Sequence, residues 1–278
     1  MDVRAIALDI DGTLTNDEKV MTPRTREALL EAQERGVRVI LASGRPAHGL
    51  DRLSRELELA RHGGLLVSFN GGRVTEAGTG AVLFDRPVTA PQVQALLRHL
   101  ERFEVIPMVT HGDELCVASR ANCEILRGGK PVDIIAYEAG ACGLRVREVG
   151  DLRAFCTGPE GKVLTAGTDT YMQAHWRELG EPFMDELACT FTSDVYYEFS
   201  AKGTTKGAAI AGVLPGLGID ASQLVAFGDA QNDFSMIRLA GCGVAMGNAT
   251  PEVKAEANLV CGTNNEDGIA GALEQLLG

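Results

Sequence analysis

Two carboxylates one residue apart follow an apolar run near the start of the chain. Residues 3–14 read VRAIALDIDGTL, so Asp9 and Asp11 come at the end of a predicted strand, just before the turn residues Gly12 and Thr13. Because side chains alternate along a strand, both carboxylates point to the same side. Two such groups repel each other, which a divalent cation or a shared proton relieves. The pair therefore predicts metal binding or acid–base chemistry, and a solvated turn is the alternative.

The elements that must position these acids alternate between strand and helix over the first 80 residues. Thr22 and Pro23 predict the start of a helix, VRVILA (37–42) is typical of a parallel strand buried on both faces, and LLVSF (65–69) predicts another strand. The same alternation returns late in the chain, with LVAFGD (224–229) as a buried strand. We therefore expect an α/β fold whose core is a doubly wound, Rossmann-like parallel sheet.

The middle of the chain has a different pattern. VIPMVT and ELCVAS are joined through His111, Gly112 and Asp113, which predicts a hairpin, and helices are predicted on either side. Hairpins mixed with helices favour an α+β module with an antiparallel sheet. We therefore expect an inserted domain. The predicted division is a core of 1–83 and 196–278 with an insertion of 84–195.

Further polar groups follow other predicted strands, and ligands bind at the carboxyl ends of strands in open α/β sheets. Ser43 and Gly44 close the second strand, where a hydroxyl and exposed amides favour anion binding, although an N-cap serine is the simpler interpretation. Asp229 and Asp233 follow LVAFGD at a helix start, where the helix dipole by itself also favours acids.

Four of these acidic side chains would bring only oxygen donors to one sheet edge, as Mg²⁺ prefers. The candidate metal ligands are Asp9, Asp11, Asp229 and Asp233. A lysine beside such a cluster can hold a phosphate oxygen and balance the charge. Lys206 is favoured for this role over Lys202, because Lys206 opens the predicted helix KGAAIAGVL.

Composition limits the kind of partner. The 278 residues are 45% hydrophobic and carry a formal net charge of −12, which argues against nucleic acids and anionic membranes as partners. No apolar run approaches the ~20 residues of a membrane span, and we read no export signal at the N-terminus. The seven cysteines form no CxxC or His-Cys pattern, so we expect reduced thiols in a cytoplasmic protein. The oligomeric state is not predicted.

Taken in order, the polar motifs resemble a known family. DIDGTL (9–14), LASGR (41–45), Lys206 and GDAQND (228–233) resemble the motifs of the haloacid dehalogenase superfamily, and most closely its Cof-type sugar-phosphatase branch. Asn70-Gly71-Gly72 is similar to an Asn-Gly turn of that branch. The resemblance covers the predicted core, whereas the insertion matches the branch's cap domain in position and length alone.

The resemblance implies a phosphatase mechanism. Asp9 would attack phosphorus and form an aspartyl-phosphate, and Asp11 would act as general acid and then as general base. Mg²⁺ would be held by the Asp9 carboxylate, the carbonyl of residue 11 and Asp229, with Asp233 orienting metal-bound water or Lys206. Several groups would hold the phosphoryl oxygens. They are Ser43, the Gly44 amide, Lys206 and Asn232.

The resemblance also implies that the cap closes over the sheet edge, excludes water and selects the substrate. Its polar residues His111, Asp113, Arg120 and Asn122 are candidates for that selection.

We therefore expect a magnesium-dependent phosphoric monoester hydrolase that acts on a small phosphorylated metabolite, such as a sugar phosphate. A phosphomutase or phosphotransferase, which passes the phosphoryl group to a sugar hydroxyl, is the alternative. A phospho-accepting signalling module is disfavoured, because receiver domains are far shorter and carry adjacent acids. Sugar phosphates, nucleotides and pyridoxal phosphate all remain open as substrates.

Overall fold

The computed structural model describes residues 1–278 and divides them into two compact units. The first unit comprises Met1–Asp85 and Thr205–Gly278, and the second comprises Arg86–Thr204. The second unit is thus inserted into the sequence of the first.

The N-terminal part of the first unit contains five strands and three helices. In chain order they are β1 (Ala5–Leu8), α1 (Pro23–Glu34), β2 (Arg38–Ala42), α2 (Asp51–Glu56), α3 (Leu59–His62), β3 (Leu65–Ser68), β4 (Arg73–Glu76) and β5 (Val82–Asp85). The predicted start of α1 is confirmed, because the Thr22 side chain accepts a hydrogen bond from the Thr25 amide and Pro23 is the first helical residue.

The second unit contains eight strands and four helices. In chain order they are α4 (Ala90–Leu100), β6 (Ile106–His111), β7 (Glu114–Val117), β8 (Glu124–Arg127), β9 (Lys130–Asp133), α5 (Ile134–Cys142), β10 (Arg145–Glu148), α6 (Leu152–Phe155), β11 (Val163–Ala166), α7 (Asp169–Gly180), β12 (Leu187–Ser193) and β13 (Tyr196–Ala201). The predicted hairpin is confirmed, since β6 and β7 pair in antiparallel register with His111 opposite Glu114.

The C-terminal part of the first unit returns to alternating helices and strands. In chain order they are α8 (Lys206–Val213), β14 (Leu224–Gly228), α9 (Phe234–Leu239), β15 (Cys242–Ala245), α10 (Pro251–Glu256), β16 (Leu259–Val260) and α11 (Gly268–Leu277). None of the helices in the chain is both long and apolar enough to cross a lipid bilayer.

The sheet of the first unit has eight strands in the order β16-β15-β14-β1-β2-β3-β4-β5. The strands from β16 to β3 are parallel, and β4 and β5 are antiparallel additions at one edge. Because the strand order runs outward in both directions from β1 and β14, this is the doubly wound parallel sheet predicted from the sequence.

The central strand β1 is apolar on both faces, which explains why helices cover the sheet on both sides. Ile6 and Leu8 belong to a cluster that includes side chains of α1 and α11, whereas Ala5 and Ala7 belong to a cluster that includes side chains of α8. All four residues are fully buried. A strand of this kind is stable only inside a parallel sheet, so the residue that follows it, Asp9, has a fixed position.

The sheet of the second unit has six strands in the order β10-β7-β6-β11-β13-β12, and β8 and β9 form a separate hairpin. All neighbouring pairs are antiparallel except β10 and β7. Residues of α4 and α7 pack in one apolar cluster of this unit, and residues of α5 pack in another. The predicted α+β module with an antiparallel sheet is therefore confirmed, with one parallel pair added.

The borders of the second unit lie later in the chain than the predicted ones at 83/84 and 195/196. The second border is shifted because strand β13 pairs with β11 and β12 of the second unit. An apolar strand such as Tyr196–Ala201 carries no signal in its own sequence for which sheet it joins.

Candidate active site

Three central strands of the first unit end beside one another, and each is followed by a polar residue. Leu8 of β1 is opposite Phe227 of β14 and Leu41 of β2, so these strands end at the same level. Asp9 follows β1, Ser43 follows β2 and Asp229 follows β14. Residues that are far apart in the sequence are therefore brought to one edge, as the strand pattern predicts.

Lys206 is a fully buried lysine at this edge, and two acids surround its ammonium group. Its Nζ atom donates hydrogen bonds to Asp9 Oδ1 and, at 2.7 Å, to Asp233 Oδ1. The other oxygen of Asp233 accepts the backbone amides of Asp229 and Ala230 at 3.0 and 3.1 Å. Since both of its oxygens are occupied, Asp233 holds Lys206 and the loop after β14 in place.

Three acids share one buried lysine, and burial disfavours the ionised form of a carboxyl group. Burial raises the pKa of Asp9 to about 7, although Lys206 opposes the rise. Burial also raises the pKa of Asp229, against a hydrogen bond from Thr13. Burial disfavours the charged form of Lys206, but Asp9 and Asp233 outweigh it and raise the pKa of the lysine. Lys206 therefore stays charged, and a further cation beside Asp9 would favour the ionised form of that carboxyl group.

The same acids fit a divalent cation. Carboxylate oxygens of Asp9, Asp229 and Asp233 all lie within 4.8 Å of one another. The set offers oxygen donors only, which suits Mg²⁺ rather than a softer metal. Because the oxygens of Asp233 are already hydrogen-bonded, Asp9 and Asp229 are the better direct ligands.

The turn after the first acids holds Asp229 in place. The buried Thr13 hydroxyl donates to Asp229 Oδ1 at 2.9 Å, and the Gly12 carbonyl accepts the side-chain amide of Asn248 at 2.7 Å. Gly12 has a φ of +84°, and a Cβ atom added there would lie 2.6 Å from Asp229 Oδ2. From the sequence, Gly12 and Thr13 were expected only to form a turn, and no sequence signal marks Asn248.

Asp11 has different neighbours from the other predicted metal ligands. The Arg45 guanidinium donates to both of its carboxylate oxygens at 2.8 and 2.9 Å, and Lys19 Nζ donates to Oδ1 at 3.0 Å. Burial alone would raise the pKa of Asp11, but Arg45 and Lys19 outweigh it and hold that pKa below its usual range. The side chain of Asp11 thus lies outside the group of three acids, with two basic partners that the sequence did not assign to it.

The residues predicted to bind phosphate have polar neighbours in the first unit. Ser43 is buried, and its hydroxyl oxygen accepts the Arg45 amide at 3.2 Å. Asn232 is exposed, and its side-chain amide donates to Asn70 Oδ1 at 3.2 Å. A Cβ atom added to Gly44 would lie 2.9 Å from Asn70 Nδ2. Asn70 therefore lies beside two of the residues predicted to bind phosphate, although its sequence context indicates only a turn.

The two lysines weighed from the sequence occupy different units. Lys202 is exposed in the second unit, where its Nζ atom donates to the carbonyls of Met184 and Asp185 at 3.0 and 2.9 Å. Only Lys206, of these two, lies among the acids.

The polar residues suggested for substrate selection are dispersed within the second unit. Asp113 accepts two hydrogen bonds from Arg145, and the His111 ring lies edge-on to a phenylalanine ring at 5.7 Å. Arg120 and Asn122 are exposed in the loop after β7. These contacts are typical of a folded surface and single out none of the four.

Comparison with known proteins supports one family. A family model described as haloacid dehalogenase-like hydrolase matches residues 6–273. The chain is 30% identical to a 5-amino-6-(5-phospho-D-ribitylamino)uracil phosphatase of Bacillus subtilis over 98% of this chain and 95% of the relative, and 28% identical to a pyridoxal phosphate phosphatase of Escherichia coli over 97% of each. A crystal structure of a haloacid dehalogenase-like hydrolase from Bacteroides thetaiotaomicron superposes with a TM-score of 0.90 at 30% identity and covers 99% of both chains.

Proposed function

The chain belongs to the haloacid dehalogenase-like hydrolases, and from that membership we propose that it is a magnesium-dependent phosphatase of small phosphorylated metabolites that works through an aspartyl-phosphate. The observation that carries the proposal is the buried Lys206 ammonium group between Asp9 and Asp233, with Asp229 beside these acids, at the carboxyl edge of a parallel sheet. Phosphoryl transfer needs positioning and charge neutralisation, and these groups supply both.

Asp9 is the proposed nucleophile. One of its oxygens bonds to phosphorus while the bond between phosphorus and the ester oxygen breaks, which gives an aspartyl-phosphate and an alcohol. Asp9 is 7% exposed, so its carboxylate is largely stripped of water and is fixed by Lys206. A fixed and desolvated carboxylate needs little reorganisation to attack.

Asp11 is the proposed acid and base. It gives a proton to the departing alcohol oxygen, and later it takes a proton from the water that cleaves the aspartyl-phosphate. In the structure Arg45 and Lys19 donate hydrogen bonds to its carboxylate. These two cations favour the ionised form of Asp11, which the second step requires. For the first step the carboxyl group must leave at least part of this clamp.

Mg²⁺ is the proposed cofactor, with Asp9 and Asp229 as its side-chain ligands. When bound it would neutralise the charge that nucleophile and phosphate share. Ser43, Gly44 and Asn232 are proposed to donate hydrogen bonds to the phosphoryl oxygens, and Lys206 to balance their charge. Asp233 is proposed to act through Lys206 rather than on the substrate.

The substrate is proposed to be a phosphate monoester of a small polar metabolite, with sugar phosphates as the first class to test. The two named relatives act on a phosphorylated ribityl compound and on pyridoxal phosphate, so a single sugar is not implied. The net charge of −12 supports neither a nucleic acid nor an anionic membrane as partner.

The test is release of inorganic phosphate from a panel of sugar phosphates, nucleotides and pyridoxal phosphate, with Mg²⁺ and with a chelator. We expect turnover that requires Mg²⁺ and that falls by at least about 10³-fold in Asp9→Asn. The surface variant Asp17→Asn is the matched control. Turnover that persists in Asp9→Asn would contradict the nucleophile, and phosphate passed to a second sugar instead of water would indicate a phosphotransferase.

A further inference from the structure

The turn after β3 has an unusual backbone. Phe69 and Asn70 are consecutive residues that both have a φ of +54°, in the left-handed region that residues with side chains rarely adopt. Asparagine is among the residues that tolerate this region, but a bulky aromatic residue is not. Such a turn persists only where its surroundings hold it, and residues in this state cluster at functional sites.

Neighbouring loops hold this turn through its backbone. The Phe69 amide donates to the Arg45 carbonyl at 3.0 Å, and the Asn70 amide donates to the Ser43 carbonyl at 2.9 Å. On its other side, a Cβ atom added to Gly71 would lie 2.2 Å from the carbonyl oxygen of Thr205. The turn is thus packed between the loop that follows β2 and the residue that precedes Lys206.

The side chain of Asn70 lies beside Asn232 and Gly44, which belong to the phosphate subsite, meaning the groups proposed to bind the phosphoryl oxygens. Its Oδ1 atom accepts the Asn232 side-chain amide, and its Nδ2 atom lies where a side chain on Gly44 would have to be. The groups proposed to bind phosphate come from three segments, namely the loop after β2, the start of α8 and the loop after β14. Each of these segments contacts the turn at residues 69–71.

We propose that Asn70 is a positioning residue of the phosphate subsite, and that its side chain acts by orienting the amide of Asn232. This rests on the proposed phosphatase function. Accepting a hydrogen bond from Asn232 fixes the rotamer of that exposed side chain, so that its second N–H points in one direction rather than many. Asparagine suits the position because it combines a side-chain acceptor with tolerance of the left-handed backbone.

The decisive variant is Asn70→Gly, which keeps the left-handed backbone accessible and removes the side chain that carries the amide. We expect kcat/KM to fall roughly 10- to 30-fold and inhibition by inorganic phosphate to weaken by a similar factor, with the temperature of unfolding nearly unchanged. The matched control is Glu58→Gly, since Glu58 is exposed and also has a positive φ of 52°. It should leave kcat/KM unchanged.

A double-mutant cycle separates positioning from general loosening of the loop. If Asn70 acts through Asn232, the double variant Asn70→Gly/Asn232→Ala should be no less active than Asn232→Ala alone, within about twofold. The inference would be overturned if the losses of kcat/KM in the two single variants multiply in the double variant. It would also be overturned if Asn70→Gly keeps wild-type kcat/KM and wild-type phosphate inhibition. If the wild-type protein hydrolyses no phosphate monoester, the proposed function fails instead, so the two failures are distinguishable.

Discussion

Gly12 and Asp229 lie so close together that no side chain fits between them. A Cβ atom on Gly12 would be 2.6 Å from Asp229 Oδ2, and that carboxylate is one of the two proposed side-chain ligands of the metal. The turn that follows the first two acids therefore sets the position of an acid more than 200 residues later, through the absence of a side chain and through the Thr13 hydrogen bond.

Gly12→Ala should damage the metal site beyond its effect on the backbone. The added methyl group must displace Asp229, so we expect the affinity for Mg²⁺ to fall roughly tenfold and kcat/KM roughly 10²-fold. Gly36→Ala is the matched control, because Gly36 has nearly the same φ of +86° but no atom within 4 Å of an added Cβ. Both variants should lose about 1–2 kcal/mol of unfolding free energy from the left-handed backbone. Equal Mg²⁺ affinity in both variants, measured by calorimetry, would contradict the assignment of Asp229.

Lys206→Met should be strongly destabilising. The change leaves the carboxylates of Asp9 and Asp233 buried without their cation, and removing one partner of a buried ion pair costs about 3–5 kcal/mol. Lys202→Met removes an exposed lysine that contacts carbonyl groups, so it should cost less than about 1 kcal/mol. Urea unfolding of the two variants gives the comparison. Losses of equal size would show that the buried ion pairs of Lys206 contribute no more to stability than the exposed contacts of Lys202 do.

The stabilisation of the protein by Mg²⁺ should grow with pH. Because the pKa of Asp9 is raised to about 7, the metal-free fold favours protonated Asp9, and that contribution to stability is lost as the pH rises from about 4 through 7. The raised pKa of Asp229 acts in the same direction. A bound cation favours ionised Asp9 and so removes this loss of stability at high pH. The rise in unfolding temperature on adding Mg²⁺ should therefore be larger at pH 8 than at pH 5.5, by roughly 5 °C.

The matched variant for this experiment is Asp9→Asn, whose amide cannot titrate. Its metal-free form should lose less stability between pH 5.5 and pH 8 than the wild-type protein does. If the stability of the two metal-free proteins depends on pH in the same way, ionisation of Asp9 is not the cause of the loss of stability at high pH.

Arg45→Met should shift the pH dependence of the reaction. Arg45 lowers the pKa of Asp11, so its removal raises that pKa and keeps the acid protonated to a higher pH. If protonated Asp11 starts the reaction, the alkaline limb of kcat/KM against pH should move upward. Arg35→Met, which removes a surface pair with Glu31, should leave the profile in place. An alkaline limb that does not move in Arg45→Met would argue against Asp11 as the acid.

The sequence predicted the sheet because its central strands are uniformly apolar. A parallel strand must be buried on both faces, and few other structures need a run such as VRVILA. The second unit was harder to predict. A register shift interrupts strand β12, and α5 carries apolar residues on most of its surface, with Glu138 as its one charged residue, so neither has a clear period.

The acids were predictable because they lie at or shortly after the ends of buried strands, with Asp9 directly after β1 and Asp229 directly after β14. Their partners were not, because hydrogen bonds such as those of Asn248 to Gly12 and of Lys19 to Asp11 depend on loops that carry no periodic pattern. The prediction of Asp11 as one of four side chains around a single cation did not include Arg45, whose Nη2 atom donates to both oxygens of the Asp11 carboxylate.

Asp9 and Lys206 are 197 residues apart, and β1 lies between β2, which follows soon in the chain, and β14, which comes after the whole insertion. On a ribosome that adds about 5–20 residues per second, β14 is finished roughly 10–40 s after β1. During that interval one edge of an apolar strand has no partner, which is a template for pairing with other chains. Until β14 is made, the new chain carries an exposed apolar strand edge, and the Asp9 carboxylate meets Lys206 only after the whole insertion has been synthesised.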